Sequence, residues 1–305
     1  TTEPSGSATT TESTGPEDTG PGGSRLVTVT RRVSDTSVVT GTPGTPDVYN
    51  PVYTLQKGDF CLIKKGEVKS TIVVSEDAGP NVTAAANDLA ANLQKMTGKT
   101  FPIKSDKETV AGNKILVGKS RYTAAAGVDI PSQYPGKELF RVVAGANLLI
   151  LAGNDAGIYK GSQFAVTYFL ESLGFGWFGT DDLWTVTPKD TIYATSCDIT
   201  SQASFSSRYT RLSAAEPQLT SRWFVGGELT QTDHSLPNLV SPDLYGEHPE
   251  YFGYSKGTRD PSGKRWWQPC LSNPEVQQLV ADQIIDFFKT NPNYTVASIG
   301  QNDGN

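Results

Sequence analysis

The sequence predicts an α/β protein in three parts: a disordered N-terminal tail, a small α/β sandwich domain, and the first strands and helices of an incomplete (β/α)8 barrel. Three observations carry this. Residues 1–24 are almost entirely Thr, Ser, Gly, Pro and acidic residues, with too little apolar surface to offset the entropy of ordering. Residues 59–200 alternate strand-like and helix-like apolar periods. Residues 201–305 end on a helix that feeds a strand with polar residues at its C-terminal end, the arrangement by which a barrel presents its site.

The tail suits an O-glycosylated stalk or an unmodified linker. Residues 25–58 are more β-like, at Leu26 to Val33 and Val38-Val39, but are broken by Gly and Pro. They form a transitional segment, and together 1–58 precede the first domain. In that domain Ser70 to Ser75 is a β-branched strand. Val82, Ala86, Leu89, Leu93 and Met96 then repeat at spacings of three and four, one helical face, and Gly98 is its stop. Ile115 to Val117 is a buried-type strand. Phe140 to Val143 and Leu148 to Ala152 form a strand pair around Gly145-Ala146-Asn147. A helix from about Ala156 to Leu173 follows, stopped by Gly174. This order gives a sandwich with the sheet on one side and helices on the other.

Beyond Pro188, Ser207 to Leu212 is a short strand candidate, and a long aromatic stretch runs from Trp223 to Pro269. A helix then opens on Ser272 and Glu275 as a capping-box pair, with Pro274 in its first turn. Val276, Leu279, Val280, Ile284 and Phe287 form its apolar face. Thr295 to Ile299 is the strand it feeds, ending at Gln301-Asn302-Asp303. About a hundred residues hold two to three βα units where a barrel needs roughly 250 residues, so most of a barrel is expected to lie beyond this sequence.

With 26 Lys and Arg against 32 Asp and Glu, the net charge is −6. That excludes an electrostatic footprint for nucleic acid. No apolar run reaches the roughly 18 residues of a membrane span. Cys61, Cys197 and Cys270 show no metal-type spacing. Asn81 and Asn293 head glycosylation sequons. With the stalk composition, these place the chain in an extracellular or secreted setting. A Cys61–Cys197 disulfide is expected, because both fall near the limits of the sandwich domain.

Gly174-Phe175-Gly176-Trp177-Phe178-Gly179 fits a dinucleotide-binding pattern, but a helix precedes it where a strand is required. It reads as a helix stop and an aromatic turn. His234 and His248 belong to no zinc motif, and no metal or cofactor is expected. Trp223, Phe224, Tyr245, Tyr251, Phe252, Tyr254, Trp266 and Trp267 crowd one segment. Their rings suit either sugar stacking or the packing of a long loop. Gln301, Asn302 and Asp303 sit where a barrel places its site, with Asp303 a candidate acid, base or hydroxyl ligand.

The ordered run His234-Ser-Leu-Pro, His248-Pro-Glu-Tyr-Phe252, Gln268-Pro-Cys-Leu-Ser-Asn-Pro-Glu275 and Ser298-Ile-Gly-Gln-Asn-Asp303 resembles the domain-of-unknown-function 4838 family, part of which is classified as glycoside hydrolase family 163. The upstream block is similar too. Leu89 through Met96-Thr97-Gly98-Lys99, Ile115-Leu-Val-Gly118 and Phe169-Leu-Glu-Ser-Leu-Gly174 with Trp177 resemble the α/β domain that precedes the barrel in family 20 hexosaminidases and α-glucuronidases. The resemblance implies a (β/α)8 hydrolase of N-acetylglucosamine-containing glycans, its characterised relatives being endo-β-N-acetylglucosaminidases. It further implies that the substrate's 2-acetamido group is the nucleophile, assisted by an Asp-Glu pair at the end of the fourth strand. This chain reaches the third, so no residue here inherits the catalytic role and the chain by itself is expected to be inactive. His234, Gln301, Asn302 and Asp303 inherit sugar-binding places, and Trp266 is a candidate stacking partner. A non-catalytic glycan-binding or matrix protein is the alternative. So is an α-glucuronidase, for which Arg208, Arg211 and Arg222 are the available cations.

Overall fold

The computed structural model describes residues 29–30, 55–189, 192–210, 217–230, 234–262 and 267–302. Most of the tail and transitional segment therefore lies outside the described residues, as do Arg211, Trp266 and Asp303.

The first region is built on a seven-stranded mixed sheet, ordered β1-β13-β8-β9-β7-β5-β6. Four of its strands are β1 (Val29–Thr30), β5 (Ser70–Val74), β6 (Ile103–Ser105) and β7 (Asn113–Val117). The others are β8 (Leu139–Ala144), β9 (Leu148–Gly153) and β13 (Cys197–Gln202). Neighbours among β9, β7, β5 and β6 pair in parallel, whereas β8 runs antiparallel to both β9 and β13. Three small ribbons flank the sheet. They pair β3 (Ile63–Lys64) with β4 (Glu67–Val68), β12 (Tyr193–Ala194) with β2 (Phe60–Cys61), and β10 (Gly176–Trp177) with β11 (Thr185–Val186).

Helix α1 (Pro80–Thr97) starts on a proline, whose fixed φ suits a first turn, and ends on Gly98 at φ 68°, a left-handed cap that glycine adopts without strain. Its expected face is the buried one: Val82, Ala86, Leu89, Leu93 and Met96 pack with α3 (Gly161–Ser172) over Ile72, Ile115, Val117, Leu149 and Leu151. The other face of the sheet is covered as well. Tyr122 of α2 (Arg121–Ala125), Val110 and Ile130 close over Val73, Leu116, Leu148 and Ile150. Alternate residues of β5, β7 and β9 thus enter opposite cores. Helix α3 starts later than expected, because Asn154 and Asp155 form a polar turn that accepts from Ala156 N and Ser162 N (3.1 and 2.9 Å).

All three cysteines carry free thiols, so the expected Cys61–Cys197 bridge is not formed. The Cys61 Sγ turns to the Ile63 carbonyl within the β2–β3 corner, at 3.3 Å. Cys197 opens β13 opposite Ala144, with its Sγ toward the Val142 carbonyl.

Among its described residues, the second region contains one parallel β–α–β unit. Strand β16 (Leu229–Thr230) pairs in parallel with β17 (Tyr294–Val296), and α5 (Pro274–Thr290) lies between them in the chain. The preceding strands, β14 (Ser207–Arg208) and β15 (Gly226–Gly227), flank α4 (Pro217–Arg222) but pair antiparallel, unlike successive barrel strands. The cap of α5 is Asn273, whose Oδ1 accepts from Glu275 N at 2.9 Å, in place of the expected Ser272. Among the described residues, two ion pairs join the regions. Arg208 meets the buried Glu138, and Arg222 meets Asp88 of α1 while lying 4.1 Å above the Trp177 ring.

Candidate functional site

The site is assembled by a turn, a loop and a strand end. Leu236 N donates to the Gly300 carbonyl (2.9 Å), and the Ser235 hydroxyl donates to the Ser298 carbonyl. Ser235 and Leu236 are buried, which fixes the turn against the extension of β17. The neighbouring His234 is exposed and brings its Nδ1 to the Gln301 carbonyl at 2.6 Å. A carbonyl only accepts, so Nδ1 is the donor in this contact.

Asn302 points the other way and is buried. Its Nδ2 donates to the Trp267 carbonyl (2.8 Å), while its backbone is clamped by Gln268, with Nε2 to the Asn302 carbonyl at 2.9 Å and Oε1 from Asn302 N at 3.3 Å. Residues alternate sides along an extended chain, so the inward Asn302 leaves the exposed Gln301 on the open side. The structure therefore unites His234, Gln301 and Asn302. The expected site residues Asp303 and Trp266 lie outside the described residues. Reading the sequence missed Gln268 as the clamp; its only signal was its place in the Gln-Pro-Cys run beside the aromatics.

The aromatic segment divides. Phe252 is fully buried, with Tyr245 and Trp267 at ring centroid distances of 5.6 and 5.0 Å, over Val240 and Val276. Phe224 stacks on Phe140 of the first region at 6.0 Å. Packing accounts for these rings. Tyr254 remains 70% exposed and Trp223 40%, the latter donating its indole N–H to the Trp177 carbonyl.

His248, Glu250 and Glu275 bring donor atoms within 4.8 Å of one another. Protein partners account for this grouping: His248 Nδ1 lies 3.0 Å from Glu250, and the Tyr251 hydroxyl donates to Glu275 at 2.9 Å. The imidazole also stacks on Tyr251 at 4.4 Å. A hydrogen bond within its own residue, followed by His248, lowers the Glu250 pKa, and the bond to Glu275 raises that of Tyr251. At Cys270, the Ser272 hydroxyl bond is the leading cause of a lowered thiol pKa. Of the cations named for a uronate, Arg208 and Arg222 are spent on Glu138 and Asp88. The aromatic Gly174–Gly179 run supplies β10 of the β10–β11 hairpin and leads into a single 3-10 turn, Asp182–Trp184, whose acidic start does not suit a pyrophosphate.

The architecture is thus a mixed α/β sheet joined to a β–α–β unit whose strand end carries the polar cluster. Residues 182–305 match the family model described as domain of unknown function DUF4838, the family that the ordered motifs resemble. No curated protein matches the chain. Among solved structures, it is similar to the family GH115 4-O-methyl-α-glucuronidase BtGH115A, at 25% identity over 36% of this chain and 14% of that one, with a TM-score of 0.27. The Flavobacterium johnsoniae chitobiase shares 12% identity over 80% of this chain and 42% of its own, with a TM-score of 0.37. The Streptomyces plicatus N-acetyl-β-hexosaminidase shares 12% over 83% and 60%, with a TM-score of 0.39. The chain spans less than two thirds of each of these proteins.

Proposed function

We propose that this chain is part of a secreted glycoside hydrolase acting on N-acetylglucosamine-containing glycans, and that it supplies a sugar-binding subsite at the end of β17. The observation that carries this reading is the fixed placement of His234 on Gln301, at the strand end where a barrel meets its substrate. The His234 ring and the Gln301 amide, a mixed donor–acceptor, are assigned to sugar hydroxyls and the acetamido group. Asp303, two residues beyond Gln301 in the sequence, is assigned a further hydroxyl. Asn302 and Gln268 brace this array from behind. None of these residues is assigned proton transfer to the leaving group. The Thr/Ser/Pro tail and the exposed sequon residues Asn81 and Asn293 support an extracellular setting.

Saturation-transfer NMR of the whole chain with N,N′-diacetylchitobiose tests this. Transfer to the acetamido methyls is expected, and His234→Ala and Gln301→Ala should each weaken binding about tenfold, the loss of one or two charge-free hydrogen bonds. Absence of transfer, or binding indifferent to both substitutions, would overturn the assignment. A non-catalytic glycan-binding protein would use the same subsite, and it is favoured if the full-length protein binds N-glycans without releasing product.

A further inference from the structure

A crevice of about 460 Å3 lies in the first region, at the C-terminal ends of the parallel strands. Its lining comes mostly from the segments that leave β5, β7 and β9 (Ser75 and Asp77 to Gly79, Lys119 to Arg121, and Gly153 with Asp155), and Pro131 and Ser132 complete it. The position has a topological cause. β5 and β7 are neighbours, yet the helix after β5 (α1) packs on one face of the sheet and the helix after β7 (α2) on the other. The chain parts there, and open α/β sheets bind ligands in the crevice left at such a switch point. Gly118 keeps the floor close: at φ 76°, a Cβ there would meet the Val82 side chain at 2.5 Å, so the first turn of α1 rests directly on the end of β7.

The walls differ in sign. On one stand Lys119 and Arg121, with Lys119 exposed and in no ion pair among the described residues. The 18-residue α1 also opens here, with no acidic side chain in its first turn. On the other stand Asp77 and Asp155. Asp155 is held by the Ser162 N–H and hydroxyl, and burial pushes its carboxyl up to about 6. Ser75 and Ser132 add hydroxyls. The volume suits a monosaccharide-sized ligand. The lining suits a molecule that is anionic at one end and rich in hydroxyls at the other, because carboxylates on the far wall accept from hydroxyls and repel a second anion.

We propose that this crevice is a second binding site, separate from the β17 subsite, for an anionic monosaccharide carrying a carboxylate or a phosphate. Lys119 and Arg121 meet the anion, and Asp77, Asp155 and Ser132 meet the hydroxyls.

Amide-resolved NMR titration of the whole chain tests this, with D-glucuronate, glucose 6-phosphate, glucose and inorganic phosphate at equal concentration and ionic strength. Glucuronate or glucose 6-phosphate is expected to shift the amides of residues 78–82 and 119–121, and whichever binds more tightly identifies the anion. Lys119→Gln should weaken that binding at least about fivefold, while Lys95→Gln, at the far end of α1, leaves it unchanged. Three results would each overturn the proposal: no shifts with either anionic sugar, glucose binding as tightly as the charged sugars, or inorganic phosphate matching glucose 6-phosphate, which marks an adventitious ion only. Because no residue of the β17 subsite is altered, chitobiose binding serves as the internal control.

Discussion

Helices α1 and α5 have 18 and 17 residues, each starting with proline, and each carries an apolar stripe at helical spacing. Seven residues of α1 are buried, and in α5 only Val276 is. Leu279, Val280, Ile284 and Phe287 of α5 are half-buried, and Ile285 is 51% exposed. The stripe is a property of the helix; burial is a property of what the helix meets. α1 lies against β5, β6, β7 and α3, whereas α5 meets the Leu236–Leu239 turn, the loop around Phe252 and, through Phe287, Tyr294 of β17.

This contrast can be broken or sharpened by experiment. The largest expected effect is at α1: Leu89→Ala, in the middle of the core, should cost roughly 2–5 kcal/mol in urea unfolding, and Ile284→Ala in α5 about 1 kcal/mol or less. Equal losses would mean that α5 is packed as tightly as α1. Next is the join between the regions. Arg222→Ala leaves Asp88 without its buried cation and uncovers Trp177, and should cost roughly 2–4 kcal/mol, with the second region losing hydrogen-exchange protection first.

A smaller effect follows pH. The Asp155 carboxyl has its pKa raised in the folded chain, so the folded state binds its proton more tightly than the unfolded chain does, and that stabilisation declines as pH rises from about 4 to above 6. The difference between wild type and Asp155→Asn over that interval should change by roughly 1–3 kcal/mol. A pH-independent difference would show that the carboxyl titrates normally. The smallest effect is Asn273→Ala, which removes the α5 cap and should cost about 1 kcal/mol, read as lost helicity by circular dichroism.

What could be read from the sequence follows from range. Strand β5, helix α1 and the β8–β9 pair are encoded locally, by β-branched runs, helical spacing and a Gly-Ala-Asn turn, and each stands within two residues of its expected limits. The capping residue of α5 was missed by one position because Ser272 and Asn273 are both good caps, and only the backbone geometry selects between them. Strand β13 was missed because Cys-Asp-Ile-Thr-Ser-Gln has little apolar content; it is a strand because β8 offers it a full edge. The cover over the second face was missed because α2 has five residues, too few for a period to show. At the candidate site, His234 and Gln301 were legible as a motif pair, but the Gln268–Asn302 clamp joins residues 34 apart and has no local signal. The ion pairs Glu138–Arg208 and Asp88–Arg222 span 70 and 134 residues, so the sequence around their arginines does not show that these cations are already paired.

The antiparallel pairing of β13 on β8 also sets a timetable. Strands β5 to β9 are complete once residue 153 has been made, but β13, the neighbour of β8 on its other side, begins at Cys197. At roughly 5–20 residues per second, a nascent chain spends several seconds with the outer edge of β8 open. That edge is Leu-Phe-Arg-Val-Val-Ala, apolar enough to recruit a stray strand. Arg141, which later pairs with Asp198 of β13, puts a single charge in the middle of it. During synthesis that arginine is the gatekeeper of an unfinished sheet.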